Sequence, residues 1–526
     1  MRSVPTTAAS LAFFLIVPFA AGCSLIVDSG QCERDADCAV GASCTEGFCR
    51  EATAGLLGPD YCHQIYPAEL SAEAAAGEVY LVGSLLPSSG RLAERGPGRE
   101  RAVFMAIDEI NSAGGVDGRQ LAVVACDSGS DPDQASAAVT HLASHGVPVI
   151  IGAAASDVTI AAFSDAARAA KVAMISPSST SVLITSLPDD GLLWRTAPSD
   201  ASQGIAMAEL ISARGYQKVG LIHLDDAYGT SLRDVMQTVL CERLACSDDE
   251  VYVSRSYSVD NFSAALPGAL VALEDLDPDV VVAVGYVEDV TAFLQLMGSS
   301  TVLAGKPVIL ADGAKSTSLI TDVSDQTLLY RLVGTNPANP DNRLSRTFTV
   351  NYRAKWAEEP TTFATHSYDA AYLVAYALAA TQGTPTGPGI AEALKRLSDG
   401  DLVDVGASSF AQAASRLRSS AVATIDFNGA SGSLDFDAET GEAVGNIEGW
   451  QLDLDNGEIE SLGVIYDSFA HELVAPPVRD LPPGADAGTT PDAGAATDGG
   501  LDAGVDAGPS DAGVVDTGVT ASDAGV

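Results

Sequence analysis

Apolar positions follow two different spacings along the chain, and residues 101–127 contain both. In the first half, apolar residues such as Ala106 and Ile110 recur at helical spacing on one face. The pair Gly114 and Gly115 then ends the helix, because glycine adopts a left-handed turn conformation at little cost. Leu121–Cys126 follows as an apolar run of strand length. The pattern therefore predicts a helix, a tight turn and a buried strand.

The same alternation extends on both sides of this stretch. The apolar runs predict strands at Val79–Ser84, Leu121–Cys126, Pro148–Gly152 and Val172–Ile175. The segments between them predict helices at Arg99–Ser112, Asp133–His145 and Val158–Ala170. Such alternation is typical of an α/β domain, in which helices cover both faces of a parallel sheet.

A second alternating region begins after Arg195–Ser199, which interrupts the pattern. Its apolar runs predict strands at Lys218–Leu224, Val280–Gly285 and Val308–Ala311. Leu332–Pro340, with its prolines and asparagines, interrupts the alternation again, and Ser431–Asp455 predicts antiparallel strands. The helices predicted between these two segments are Asp341–Trp356, Ser367–Ala380 and Pro388–Lys395.

The first 22 residues have the features of a signal peptide: Arg2, a short apolar segment at Leu11–Phe19 and small residues before Cys23. The apolar segment is too short to span a bilayer. The small residues resemble the lipobox of bacterial lipoproteins, although Ala20 stands where leucine is usual. We expect lipidation of Cys23, the odd one of nine cysteines. The alternative is ordinary secretion with Cys23 as a free thiol.

Four cysteines lie close together in the tether that follows, which we assign to residues 23–77. In an exported protein this spacing indicates a small disulfide-stapled module over residues 32–49, because so short a segment cannot bury a core. Zinc is a weaker alternative, since no C-x-x-C pair is present. The module would serve as a spacer or a small docking knob, with three possible pairings. Its cysteines are Cys32, Cys38, Cys44 and Cys49.

The remaining four cysteines are candidates for two further disulfides. Cys62 lies in the tether and can pair with Cys126, which would pin the tether to the first domain. Cys241 and Cys246 flank a short loop and can pair locally.

The chain is strongly acidic, with 70 acidic and 28 basic residues and a net charge of −42. This charge repels nucleic acid and anionic membrane surfaces, so a nucleic-acid partner is not expected. From Pro482 onward Asp-Ala-Gly recurs without any aromatic or basic residue. We expect residues 480–526 to form a disordered tail, because such a segment cannot offset its ordering entropy by burial. Calcium binding is an alternative, but the spacing of calcium solenoids is absent.

Two sequence motifs carry a resemblance to a known family. A-I-D-E-I-N-x-A-G-G-V-x-G occupies Ala106–Gly118, and D-x-x-x-D-P-x-x-A occupies Asp127–Ala135. Together with later motifs, they make the chain resemble the type I periplasmic solute-binding proteins, in particular the leucine/isoleucine/valine-binding branch. The resemblance extends from Val79 to Ile465. The resemblance implies two Rossmann-like doubly wound lobes joined by three crossovers, near residues 195–199, 332–340 and 431–455. Residues 78–197 and 335–445 would form lobe 1, and residues 198–334 and 446–475 lobe 2.

Loops after the predicted strands are the place to look for a site, because open α/β sheets bind ligands beyond the carboxyl ends of their strands. Residues 153–157 and 176–180 combine small residues and hydroxyls ahead of a helix, which suits an anion such as a carboxylate. The alternative is that the hydroxyls only cap their helices. The resemblance implies that Ser156 and Thr180 hold a ligand carboxylate, with Ser178 offering its backbone.

Two aromatic residues and one carboxylate follow strands of the second region, where lobe packing and turn formation are the structural alternatives. The resemblance implies that Tyr286 and Asp312 hold a ligand ammonium and that Tyr228 closes over the ligand. Phe363 resembles another pocket aromatic. Asp312 stands where the branched-chain binders carry glutamate, and residues 92–95 lack a pocket aromatic found in the family. Side-chain specificity stays open, and a polar or charged ligand contacting Glu94 or Arg95 is one option.

The resulting hypothesis is a periplasmic lipoprotein, anchored to the inner or outer membrane, that closes on an amino acid and delivers it to an ABC transporter permease. We expect a monomer without cofactor or metal. The alternative is a sensing or scaffold lipoprotein with the same fold. Phosphate-binding, metalloprotease and hydrolase motifs are absent, so an enzyme is not expected. His141 and His145 could share a metal, but they are more typical of a solvated helix end.

Overall fold

The computed structural model describes residues 42–45, 48–51, 53–58, 60–244, 246 and 250–474. The predicted signal peptide, Cys23, the first half of the cysteine module with Cys32 and Cys38, and the acidic tail lie outside these residues. Within the described part, no helix combines the length and the apolar character needed to cross a membrane.

The strands are β1 (Ala42–Thr45), β2 (Phe48–Glu51), β3 (Cys62–Tyr66), β4 (Tyr80–Leu86), β5 (Leu121–Asp127), β6 (Val149–Gly152), β7 (Ala173–Ser176), β8 (Leu193–Arg195), β9 (Val219–Leu224), β10 (Tyr252–Tyr257), β11 (Val280–Val284), β12 (Val308–Leu310), β13 (Leu332–Pro337), β14 (Asp401–Asp404), β15 (Ile425–Asn428), β16 (Phe436–Asp437), β17 (Glu442–Ala443), β18 (Ile447–Asp453), β19 (Glu458–Asp467) and β20 (Glu472–Leu473).

The α-helices are α1 (Thr53–Leu56), α2 (Ser71–Ala76), α3 (Gly96–Ser112), α4 (Pro132–Ser144), α5 (Ser156–Ala162), α6 (Arg168–Ala170), α7 (Val182–Thr185), α8 (Asp200–Ala213), α9 (Ala227–Leu244), α10 (Phe262–Leu276), α11 (Val287–Gly298), α12 (Ser318–Asp322), α13 (Gln326–Leu329), α14 (Arg343–Trp356), α15 (Ala364–Ala380), α16 (Gly387–Leu394) and α17 (Ala407–Ser419). A π-helical turn at Phe163–Ala167 joins α5 to α6, and a 3-10 turn at Asp312–Ala314 follows β12.

The first lobe is built on an eight-stranded sheet in the order β16-β17-β8-β7-β6-β4-β5-β3. Strands β4 to β8 are parallel, and β3 adds an antiparallel edge. Every residue of β6 and β7 is buried, which explains their continuous apolar sequence. Helix α15 is buried along its whole length and packs against α3.

The second lobe repeats this architecture in the order β10-β9-β11-β12-β13-β18-β19-β20. Strands β9 to β13 are parallel, and β18 begins an antiparallel extension. The chain passes between the two sheets three times, after β8, after β13 and between β17 and β18. The predicted α/β fold of two doubly wound lobes with three crossovers is therefore confirmed.

The prediction for Leu332–Pro340 is wrong in part. Its first six residues form β13, a buried strand in the middle of the second sheet, and the crossing begins only at residue 338. Residues 335–337 therefore belong to the second lobe and not, as predicted, to the first. The run Leu-Val-Gly-Thr pairs with its neighbours as a strand, while the prolines and asparagines that suggested a crossing lie at its end. Likewise, Arg195 ends β8 of the first sheet before the first crossing.

Both candidate disulfides outside the cysteine module are confirmed. Cys62 and Cys126 are bonded and lie opposite each other on β3 and β5, so the end of the tether is fixed to the first sheet. Cys241 and Cys246 are bonded at the end of α9. In the module itself, β1 and β2 form a hairpin in which Cys44 lies opposite Cys49.

Candidate functional site

All seven predicted binding residues line one cavity between the two lobes, although their roles stay predictions. The cavity also touches Leu92, Arg95, Arg99, Ala154 and Gly313. It has about 10 Å³ of free space, room for about one water molecule, so the lobes are closed on it. The seven residues are Ser156, Ser178, Thr180, Tyr228, Tyr286, Asp312 and Phe363.

The first lobe contributes hydroxyl groups from the loops after β6 and β7. Ser156 is the first residue of α5, and its Oγ accepts a hydrogen bond from the Ser181 amide at 3.2 Å. Ser178 Oγ donates to the Ala154 carbonyl at 2.9 Å. The capping alternative does not hold for Ser156, which does not cap its own helix, and the residue that caps α7 is Ser181, one position beyond the predicted loop. Thr180 is buried beside them.

The second lobe contributes an acidic and aromatic group. Tyr228 lies at the start of α9, Tyr286 precedes α11, and Asp312 follows β12. The Tyr228 hydroxyl donates to Asp312 Oδ1 at 2.7 Å and accepts from the Gly313 amide at 3.1 Å. The rings of Tyr228 and Tyr286 are stacked with centroids 5.5 Å apart. These contacts hold the Asp312 carboxylate in a fixed orientation toward the first lobe.

Asp312 is only 4% exposed. Burial raises its pKa, and the hydrogen bond from Tyr228 partly offsets this effect. A buried carboxylate without a cationic partner costs free energy, because it has lost its hydration. A cation placed beside it is attracted more strongly than it would be in water.

Gly313 allows the close contact between Asp312 and Tyr228. A Cβ atom at this position would lie 2.5 Å from the Gly285 carbonyl oxygen and 2.9 Å from the Tyr228 hydroxyl. Any larger residue would therefore displace the tyrosine that orients Asp312.

Phe363 closes the cavity from the first lobe. It precedes α15 with a positive φ of 68°, a strained conformation for a bulky residue. Its ring meets His366 edge-on at 5.2 Å, and the Arg99 guanidinium lies over it at 5.4 Å from the centroid.

Three arginines at four-residue intervals reach the gap between the lobes. The sequence analysis left Arg95 as an option and missed Arg91 and Arg99. Their four-residue spacing was not a usable signal, because Arg91 lies in a 3-10 turn at Gly90–Leu92 and Arg95 precedes α3, so the three do not share one helix face.

Arg91 lies between acidic groups of both lobes. Its guanidinium donates to both carboxylate oxygens of Asp157 at 2.7 and 2.8 Å and lies 3.2 Å from Asp226 of the second lobe. It also lies over the Tyr286 ring, 4.9 Å from the centroid. Arg91 therefore bridges a carboxylate of each lobe at the edge of the site, where two acidic groups surround one guanidinium.

Asp200 is a second carboxylate that the sequence analysis missed. It begins α8 at the first crossing, is 0% exposed, and its backbone amide donates to the Thr180 carbonyl at 2.7 Å. Burial and the nearby Asp312 raise the pKa of Asp200 well above its usual value.

The described residues contain no cluster of three His, Cys, Asp or Glu side chains that could hold a metal ion. His141 contacts the Leu56 carbonyl and His145 contacts the His141 carbonyl, so the pair has structural partners.

The fold and the cavity define a two-lobed solute-binding protein. The chain belongs to the periplasmic binding protein family, which it matches over residues 80–453. This is a family of solute-binding proteins, not of enzymes.

Several named proteins are similar to this chain. The substrate-binding protein BasB of a chemotactic signal transduction system in Halobacterium salinarum is 28% identical over 382 residues, covering 71% of this chain and 87% of BasB. Leu/Ile/Val-binding protein homolog 1 of Brucella abortus is 27% identical over 319 residues, covering 60% of this chain and 82% of that protein.

The fold also matches solved structures. The branched-chain amino acid transporter substrate-binding protein LivJ of Streptococcus pneumoniae, in complex with isoleucine, superposes with a TM-score of 0.58. It is 24% identical, and the match covers 73% of this chain and 98% of LivJ. At this identity the likeness concerns the fold.

Proposed function

We propose that this protein captures an amino acid between its two lobes outside the cytoplasm and presents it to an ABC transporter. The main support is the arrangement around the cavity, where hydroxyls of the first lobe face Asp312 of the second. The similarity to Leu/Ile/Val-binding proteins supports the same class of ligand.

Closure of the lobes is the proposed mechanism. Ser156, Ser178 and Thr180 receive the ligand carboxylate, and Asp312 and Tyr286 receive its ammonium group. Each charge-assisted hydrogen bond contributes about 1.5–3 kcal/mol. Because the two charges are held by different lobes, only the closed state satisfies both, and this difference lets the ligand shift the equilibrium toward closure.

A sensing role is the second candidate. BasB, the relative from a chemotactic signal transduction system, is similar over most of its length. A sensor would use the same closure, but the closed lobes would be recognised by a signalling partner instead of a permease. In both cases we propose that the protein is a monomer tethered through lipidated Cys23.

Asp312 provides the test of this proposal. We expect that at least one α-amino acid raises the melting temperature of the wild type. At a hundred times its dissociation constant, the ligand should add about 2.7 kcal/mol to the free energy of unfolding. Asp312→Ala should weaken binding about 10- to 100-fold, because it removes one charge-assisted contact. Isothermal titration calorimetry measures this change.

Asp260→Ala is the matched control, since Asp260 is an exposed carboxylate of the same lobe. Circular dichroism should show that both variants are folded. Wild-type affinity in Asp312→Ala would refute the assignment of the ammonium site. A flat thermal-shift screen across all amino acids would refute the proposed ligand class.

A further inference from the structure

Two arginines in the cavity are buried cations without an acidic partner. Arg95 is 5% exposed and Arg99 is 2% exposed. In the described part of the chain, neither guanidinium has a carboxylate within ion-pair distance, whereas Arg91 beside them has two. A buried charge costs free energy unless it is paired, so these two cations favour a negatively charged group beside them.

The hydrogen-bond acceptors of both arginines are neutral. Arg95 donates to the Asp312 carbonyl at 3.3 Å and to the Lys315 carbonyl at 2.9 Å, both on the opposite lobe. Arg99 donates to the Thr362 carbonyl at 3.0 Å and to Ser178 Oγ at 3.1 Å. Burial lowers the pKa of Arg95, and burial together with Arg95 lowers the pKa of Arg99 to about 9.

The acidic groups nearby do not balance the two arginines. The Asp312 carboxylate supplies one negative charge and is already bound by Tyr228. Asp200 holds its proton more tightly than an ordinary aspartate, because it is buried beside Asp312. Glu94 is exposed to solvent, where water screens its charge, and it accepts a hydrogen bond from Ser316. Among the charged side chains that line the cavity itself, two arginines and one aspartate leave one positive charge over.

The cavity also offers little apolar surface for a branched side chain. Its apolar lining comes from Leu92, Ala154 and Phe363 together with tyrosine rings, and the Phe363 ring is covered by Arg99. A leucine side chain placed here would meet guanidinium and hydroxyl groups. It would desolvate them without giving them a partner.

We propose that the ligand is an acidic amino acid, whose second carboxylate pairs with Arg95 while Arg99 and the first-lobe hydroxyls hold its α-carboxylate. This inference rests on the proposed amino-acid-binding function. The net charge of such a ligand is −1, which balances two arginines and one aspartate. Opening of the lobes frees Arg95, because both of its acceptors lie on the opposite lobe. When the lobes close again on the ligand, Arg95 can donate to the charged side-chain carboxylate of the ligand instead of to two neutral carbonyl groups.

Glutamate and glutamine provide the sharpest test, because they have nearly the same shape and differ in one charge. Calorimetry of the full chain should show binding of L-glutamate or L-aspartate, with L-glutamine and L-leucine at least about 100-fold weaker. In Arg95→Gln the preference for glutamate over glutamine should fall at least about tenfold. In Arg99→Gln the affinity for both ligands should fall, because both carry the α-carboxylate.

Arg101→Gln is the matched control, because Arg101 lies on the same helix but pairs with Glu358 at the surface. This variant removes one positive charge from α3 and should leave the affinities for glutamate and for glutamine unchanged. Tighter binding of a neutral amino acid than of glutamate and aspartate would overturn the ligand class and leave the amino-acid function standing. An equal loss of glutamate and glutamine binding in Arg95→Gln would overturn the role of Arg95. Absence of binding by every amino acid would overturn the function itself.

Discussion

Single residues decide what the cavity can hold, and Asp312 is the one with the clearest pH signature. Its pKa is raised by burial, so it takes up a proton at a higher pH than a free aspartate. The protonated form no longer attracts an ammonium group. As the pH falls from about 8, the ligand ammonium only gains protons, and the α-carboxylate, with a usual pKa of about 3.5, stays ionised down to about pH 5.5.

We therefore expect the affinity for the amino acid to fall as the pH is lowered from about 8 to about 5.5, where a carboxylate with a raised pKa begins to protonate. Calorimetry at a series of pH values measures this. In Asp312→Asn the affinity should be lower and less dependent on pH. Affinity that stays constant or rises on acidification of the wild type would contradict the ammonium site.

The residue scale also shows where sequence reasoning ends. The loops that carry Ser156 and Asp312 could be located because they follow predicted strands, and the family resemblance then singled out these two residues. Arg99 could not be located in this way, because it lies inside a helix, and its contact with Ser178 depends on how α3 packs. The position of Asp200 at the site could not be predicted either, because Asp200 begins a helix at a crossing between the lobes and does not follow a strand.

Among the elements, the edge strand β3 is held to β5 by an antiparallel ladder and also by a disulfide bond. Cys62 joins it to Cys126 of β5 across a separation of 64 residues, whereas the Cys241–Cys246 bond closes a separation of five. In the chain-entropy description a disulfide stabilises by restricting the unfolded chain, and the gain grows with loop length.

Replacing both cysteines of the long loop, Cys62→Ala with Cys126→Ala, should therefore lower the free energy of unfolding by about 4 kcal/mol. The matched pair Cys241→Ala with Cys246→Ala should cost only about 2 kcal/mol. Urea unfolding followed by circular dichroism gives both values. An equal loss, or a larger loss for the short loop, would contradict the chain-entropy explanation.

The boundaries of strands were predictable where the apolar pattern indicated only one kind of element. Strands β5, β6 and β7 are buried on both faces, so their apolar runs match their observed bounds closely. β10 was missed because its polar residues are exposed at the edge of the sheet. β13 was taken for a crossing because proline and asparagine lie at its end.

At the scale of the whole molecule, the lobes are joined by polar contacts that ring the cavity. Ser181 Oγ donates to the Ala227 carbonyl at 2.7 Å, and Ser316 Oγ donates to Glu94 Oε1 at 3.2 Å. Arg91 and Arg95 add the ion pair and the backbone contacts described above. Opening would return these groups to water, where they regain hydrogen-bond partners, so we expect these contacts to favour the closed state only modestly.

A crystal structure of the protein with the amino acid that gives the largest thermal shift is the most direct test of this mechanism. The ligand should lie between the lobes, with its α-carboxylate on Ser156 and Thr180 and its ammonium group on Asp312. A ligand bound outside this cavity, or bound with these two groups exchanged between the lobes, would contradict it.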